Sequence, residues 1–313
     1  MKRVLWCMVV PVMLALGPMR TIAAQNAVFA IPRVQTAVAV DGRIENREWL
    51  FSAAFPALRL MGDWRKAVPS VKLRAQYDDE NLYFAFEIER PATSPEPRVI
   101  PPDETQYFAE DRAHLLLRIN GRTERIIANA SGLVSSKGLA AGTKYAPVTA
   151  FPGWRAELAV PLPPAPDNEI FFDFINEQAT PYSETAVLTF RSSLEENTSA
   201  VRLLLRNNMP VAAFLPDRMR LLDSTKEWFE LVNNDGNAHR LKKALWITSL
   251  PQDLTQAEVA TLSSRPPGEP QLVSDLLLAP YNRRQSCVEG ASELGDYLVH
   301  YAVRDEQDVL MRG

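Results

Sequence analysis

Val71–Pro91 reads VKLRAQYDDENLYFAFEIERP, two runs of alternating residues around a four-residue polar break. In the first run Val71, Leu73, Ala75 and Tyr77 share one face and Lys72, Arg74 and Gln76 the other, the period-two pattern of a half-buried strand. The second run sets Leu82, Phe84, Phe86 and Ile88 on one side. Asp78, Asp79, Glu80 and Asn81 between them carry no apolar surface and can bond their own backbone, which suits a connection. The pattern predicts a β-hairpin. A lone hairpin is marginal in water, so further strands must pack with it.

Those strands can be read on both sides. Downstream, Asp111–Ala130 (DRAHLLLRINGRTERIIANA) sets two alternating runs around Asn120-Gly121, a strong hairpin signal. Ala113, Leu115, Leu117 and Ile119 take the core face; His114 shares the other with Arg112 and Arg118. Trp154–Pro161 alternates again, and Ile170–Ile175 and Val187–Phe190 are compact apolar strands. Upstream, AVAVDGR (Ala37–Arg43) reads as a short strand entering an Asp-Gly turn, followed by Trp49 as a core plug. Pro91–Pro102 holds five prolines and is a connection rather than a central strand. About eight strands before residue 192 imply two packed sheets.

The polar run Ser192–Ser199 (SSLEENTS) marks a boundary. Beyond it come VRLLL, a second pair of strands expected to turn around Asp235-Gly236, and the alternation of Tyr297, Val299, Tyr301 and Val303. The expected class is all-β: a first sandwich over 25–192, a linker over 193–200 and a smaller immunoglobulin-like sandwich over 201–313.

Residues 1–24 read as a secretory signal, with Lys2 and Arg3 before the apolar Leu5–Leu16 and Ile22-Ala23-Ala24 as a cleavage site. The expected location is therefore secreted or periplasmic. Of the two cysteines only Cys287 remains after cleavage, so no intramolecular disulfide can form. The formal charge is −4, and the loss of Lys2, Arg3 and Arg20 with the signal makes it −7. An acidic chain without a basic run argues against nucleic acid and anionic lipid as partners.

Taken in order, VDGRIENREW, the Val71–Pro91 hairpin, YFAEDRAHLLLRI, GWRAELAVPL and EIFFDFINEQ resemble the family-nine carbohydrate-binding modules, whose fold belongs with the DOMON-type β-sandwiches. The likeness runs from about Val34 to Leu205. It implies an aromatic clamp for a terminal sugar ring, falling here on Phe108 and Phe190, with polar contacts from His114, Arg125, Asn176 and Glu177. The family's clamp uses tryptophans where this chain has phenylalanines, and His114 stands where an acidic residue would accept from sugar hydroxyls.

The chemistry expected is sugar binding without catalysis, at most as an accessory module in polysaccharide degradation. A sugar site needs a flat apolar surface with fixed donors and acceptors around it. The histidines at 114, 239 and 300 sit in no nucleophile or metal motif, and Asp78-Asp79-Glu80 on one turn cannot flank a glycosidic bond from two sides. No cofactor is expected, although Asp103, Glu104, Glu110 and Asp111 cluster as oxygen ligands suited to calcium. Two other readings stand beside this one. In the first, a DOMON-type electron-transfer module holds haem through Met61 and His114. In the second, a structural adaptor meets a protein partner through residues 201–313.

Overall fold

The structure is a computed structural model; the residues it describes are 27–34, 38–55, 59–60, 63–67, 71–89, 111–136, 142–150, 153–164, 169–179, 185–189, 201–206, 211–214, 226–233, 235–251, 254, 258, 262, 268–289, 296–306 and 309–312. The signal segment and the 193–200 linker lie outside them. The chain runs through β1 (Ala27–Pro32), a one-turn helix α1 (Asn46–Trp49), β2 (Ala53–Ala54), β3 (Arg59–Leu60), β4 (Asp63–Ala67), β5 (Val71–Tyr77) and β6 (Asn81–Glu89). It continues with β7 (Arg112–Ile119), β8 (Arg122–Asn129), β9 (Gly132–Ser136), β10 (Lys144–Ala150), β11 (Gly153–Pro161), β12 (Glu169–Ala179), β13 (Thr185–Thr189) and β14 (Val201–Arg206). The last part comprises β15 (Val211–Phe214), β16 (Lys226–Val232), β17 (His239–Leu250), β18 (Leu272–Leu278), β19 (Arg283–Glu289), β20 (Asp296–Arg304) and β21 (Val309–Arg312).

These strands form an all-β sandwich of two sheets. The larger, of 13 strands, runs β18-β17-β20-β21-β1-β14-β12-β13-β3-β4, with β7 also on β12 and β8 and β9 following β7. The smaller, of 8 strands, runs β10-β11-β6-β5-β2-β15-β16-β19. The Val71–Pro91 hairpin forms as β5 and β6, paired from Val71 opposite Ile88 to Tyr77 opposite Leu82. Asp78 closes it by accepting at Oδ1 from the backbone N–H groups of Glu80 (2.8 Å) and Asn81 (2.7 Å). The β7–β8 turn carries Asn120 and Gly121 at φ of 50° and 74°, the left-handed conformation that an Asn-Gly hairpin turn requires.

The sheets meet through aromatic rings. Phe84 of β6 stacks on Phe172 of β12 at 5.1 Å, and Phe86 meets Phe174 at 5.3 Å and Trp154 edge-on at 5.1 Å. Phe172 in turn touches Phe55, which touches Phe29 of β1. Each such pair is worth roughly 0.5–1.5 kcal/mol beyond the area it buries. Ala113, Leu115, Leu117 and Ile119 join this core, as do Leu241, Leu245 and Val303 from the C-terminal strands.

A second, smaller cluster lies on the far side of the 8-stranded sheet, where Trp49 packs on Tyr83, Ala85 and Ala159. It explains the VDGRIENREW motif. The Glu157 carboxylate, fully buried on β11, accepts from Trp49 Nε1 (2.8 Å) and from the backbone N–H groups of Gly42 (2.9 Å) and Asp41 (3.1 Å). Gly42 adopts φ 80°, and a Cβ there would stand 2.5 Å from Val148 Cγ2, so the turn admits only glycine without strain.

Two expectations are corrected. Ala37–Arg43, read as a short strand, forms none over its described residues 38–43, because Asp41 and Gly42 are held by Glu157 and Val38 and Val40 by side-chain packing instead. The runs flanking Asp235-Gly236 are strands, yet they do not pair with each other: β16 pairs with β15 and β19 in the smaller sheet, and β17 with β18 and β20 in the larger. The intervening segment crosses between sheets. Asn233 holds it by donating from Nδ2 to the carbonyls of Asn237 (2.7 Å) and Ala279 (2.9 Å), while Asp235 pairs with His239 at 2.8 Å.

Strand pairing also links the N-terminal and C-terminal parts of the chain. β1 lies between β14, which it pairs in parallel over six residues, and β21. In the smaller sheet Ala54 of β2 pairs with Ala213 of β15. A polar tie crosses the core nearby: Lys243 of β17, buried, donates from Nζ to the Cys287 carbonyl (2.9 Å) and Ser286 Oγ (3.3 Å) of β19. Cys287 is itself buried and in no disulfide.

Two stability tests follow from these buried polar groups. Burial holds the Glu157 carboxyl above its ordinary value of 4.5, against the pull of the Trp49, Asp41 and Gly42 donors. The folded protein thus binds that proton more tightly than the unfolded chain, so the contribution is greatest below pH 4.5 and is lost as pH rises through the raised value. Glu157→Gln should remove this decline from the urea-denaturation profile and cost about 1–3 kcal/mol at neutral pH, since its amide N–H₂ would face a donor. An unchanged slope in the variant would assign the decline to another group. Lys243→Met, by contrast, should leave chemical-denaturation stability unchanged or raise it, because an apolar chain of similar volume avoids keeping an ammonium group buried. A loss of several kcal/mol would show that the two hydrogen bonds outweigh that desolvation.

Candidate functional site

The polar residues of interest sit on the face of the 13-stranded sheet turned away from the core. Alternation dictates this: Ala113, Leu115 and Leu117 of β7 and Phe172 and Phe174 of β12 fill the core, so the residues between them face the other way. Backbone register then sets them in rows. Arg112 lies opposite Glu177, His114 opposite Ile175 and Ile127, Leu116 opposite Asp173 and Arg125, and Arg118 opposite Phe171 and Thr123. Arg202 of β14 extends the last row on the other side of Phe171.

Within these rows His114 and Arg125 make direct contact, with Arg125 Nη2 2.8 Å from His114 Nδ1. An arginine can only donate, so Nδ1 accepts and the proton of the neutral ring sits on Nε2. The two differ in accessibility. His114 is 3% exposed, whereas Arg125 is exposed. His114 therefore forms the base of the pair and Arg125 presents its guanidinium outward. Four residues along β7 from His114, the Arg118 guanidinium lies 4.0 Å from the centre of the half-buried Phe171 ring, a cation–π contact. Asp173 and Arg112 on the same face are buried.

Of the residues expected at a sugar site, the structure thus brings His114 and Arg125 together. Asn176 and Glu177 lie on β12, where register sets Asn176 opposite Ala113 and Leu188, and Glu177 opposite Arg112 and Val187. The clamp positions Phe108 and Phe190 lie outside the described residues, as do Met61, Asp103, Glu104 and Glu110. Asp111 is described and buried. Among the described residues no group of three or more His, Cys, Asp or Glu side chains is placed to hold a metal ion.

Phe171 and Asp173 were not singled out from the sequence. The signal was present in EIFFDFINEQ: Phe172 and Phe174 claim the core, which leaves Phe171 and Asp173 for the opposite face. Reading Ile170–Ile175 as a uniformly apolar strand concealed that split.

No family model and no curated protein matches the chain. Solved structures do match it. One is a family 9 carbohydrate-binding module from Caldicellulosiruptor kristjanssonii in complex with cellotriose, at 13% identity and a TM-score of 0.42, covering 57% of this chain and 94% of that one. Another is a family 9 module from the same organism in complex with glucose, at 16% identity and a TM-score of 0.42, covering 56% and 96%.

Proposed function

We propose that the chain is an exported, non-catalytic carbohydrate-binding protein that holds a terminal sugar at the outer face of the 13-stranded sheet. The observation that carries this reading is the His114–Arg125 hydrogen bond. Two residues that the motif resemblance assigns to one polar rim, on neighbouring strands, meet at 2.8 Å on that face. Because His114 is buried, its part is to hold the Arg125 guanidinium, whose N–H groups donate to sugar hydroxyls. Glu177, opposite Arg112 on that face, belongs to the same proposed rim as an acceptor, whereas Asn176 falls opposite the core residue Ala113 and on the other face. Phe108 and Phe190 supply the flat apolar surfaces for the C–H faces of the ring. A single-sugar site of this kind binds with roughly −4 to −8 kcal/mol, millimolar to micromolar in strength. That strength suits a module that keeps something close to a polysaccharide.

A glycan array followed by calorimetry on the chain without residues 1–24 tests the reading. Binding of one sugar class is expected, abolished by Phe108→Ala or Phe190→Ala and weakened about tenfold by Arg125→Ala, the loss of one charge-assisted hydrogen bond. His114→Ala should weaken binding while leaving the Arg125 side chain less ordered, seen as sharper, shifted guanidinium NMR signals. Failure of the folded protein to bind any glycan, or binding indifferent to all four substitutions, would overturn the proposal. Uptake of haemin with a Soret band would transfer His114 to the electron-transfer reading.

A further inference from the structure

A groove of about 890 Å³ lies far from the His114–Arg125 pair, lined by Arg240, Lys242, Asp275, Leu277, Arg284 and Glu306 among others. It is built at the end of the 13-stranded sheet where β18 is the last strand. Arg240 and Lys242 of β17 stand on the face opposite Leu241 and Leu245, which fill the core. Register places Leu277 of β18 across from Arg240 and Asp275 across from Lys242. Arg284 reaches round from β19 of the smaller sheet and donates to the Leu277 carbonyl at 3.2 Å. Glu306 comes from the turn between β20 and β21.

Among the described residues no ion pair joins Arg240, Lys242, Asp275, Arg284 and Glu306, although cations and carboxylates face one groove. The lining mixes both signs: Asp275 stands across from Lys242, and Asp305 and Glu306 share the groove with Arg240 and Arg284. An anion placed here would meet Asp275 and Glu306, and a cation would meet Arg240, Lys242 and Arg284. A neutral molecule whose hydroxyls both donate and accept meets every group favourably. The 59% exposed Leu277 adds an apolar ledge, and the volume falls in the range of small-molecule sites.

We propose that this groove is a second ligand site, taking a neutral polyhydroxylated ligand of short-oligosaccharide size. It stands on its own lining residues and does not depend on the site at Arg125. The test is a titration of the chain without residues 1–24 with neutral oligosaccharides, uronic-acid oligosaccharides, and free amino acids and dipeptides, read by saturation-transfer NMR and calorimetry. Asp275→Ala removes an acceptor and Leu277→Trp fills the groove; both positions are exposed, and circular dichroism checks that the fold is kept. The expected result is a second class of neutral-oligosaccharide site, remaining after Phe108→Ala has abolished the outer-face one, that Asp275→Ala and Leu277→Trp weaken about tenfold or more. The proposal falls if glycan binding is indifferent to Asp275→Ala and Leu277→Trp, if no glycan binds, or if only the charged probes respond to them. Binding lost in Phe108→Ala alone would sink the groove while supporting the site on the outer face, and the converse result would do the reverse.

Discussion

The contact of Phe84 and Phe86 with Phe172 and Phe174 is the constraint on which the rest of the molecule depends. It welds the centre of the smaller sheet to the centre of the larger one. Because side chains alternate along a strand, committing Phe172 and Phe174 to the core commits Phe171, Asp173 and Ile175 to the opposite face. The same rule on β7 sends Leu115 and Leu117 inward and His114 and Arg118 outward. The candidate site is thus the reverse side of the aromatic core, and a one-residue slip of β12 against β7 would exchange the two.

Glu157 plays a similar organising part on the far side of the smaller sheet. Its three donors come from the Asp41-Gly42 turn and from Trp49, so one carboxylate holds both ends of the VDGRIENREW motif. The motif is conspicuous in sequence, yet its residues do structural work: they close the unpaired 38–50 segment over Tyr83, Ala85 and Ala159. A recognisable motif in this chain therefore marks how the sheet is covered and says nothing by itself about a ligand.

Hairpins whose strands lie close in sequence were legible, because alternation and turn residues act locally. The β5–β6 and β7–β8 pairs, with the core faces of β7 and β11, follow directly from residue order. What sequence order concealed was pairing between distant segments. The Asp235-Gly236 turn has hairpin chemistry, but β16 and β17 each find better partners elsewhere, and Asn233 holds the crossing between them. Lys243 was equally hidden: its parity with Leu241 and Leu245 points to the core, while its charge suggests the surface. Its hydrogen bonds to Ser286 and Cys287 resolve the conflict, and both partners lie on a strand that nothing near residue 243 foretells. At the candidate site, the His114–Arg125 contact was within reach of a hairpin reading, whereas the place of Arg118 over Phe171 required knowing that β7 and β12 are neighbours.

The position of β1 carries a consequence for the order of events in the life of the chain. Its neighbours in the sheet are Val201–Arg206 on one side and Val309–Arg312 on the other, so the middle of the larger sheet cannot close until the last strand has been synthesised. Topologies dominated by such distant pairing fold slowly, and their partly formed sheets expose strand edges meanwhile. Until Val309–Arg312 is in place, one backbone edge of β1 stays unpaired and open to pairing with another chain.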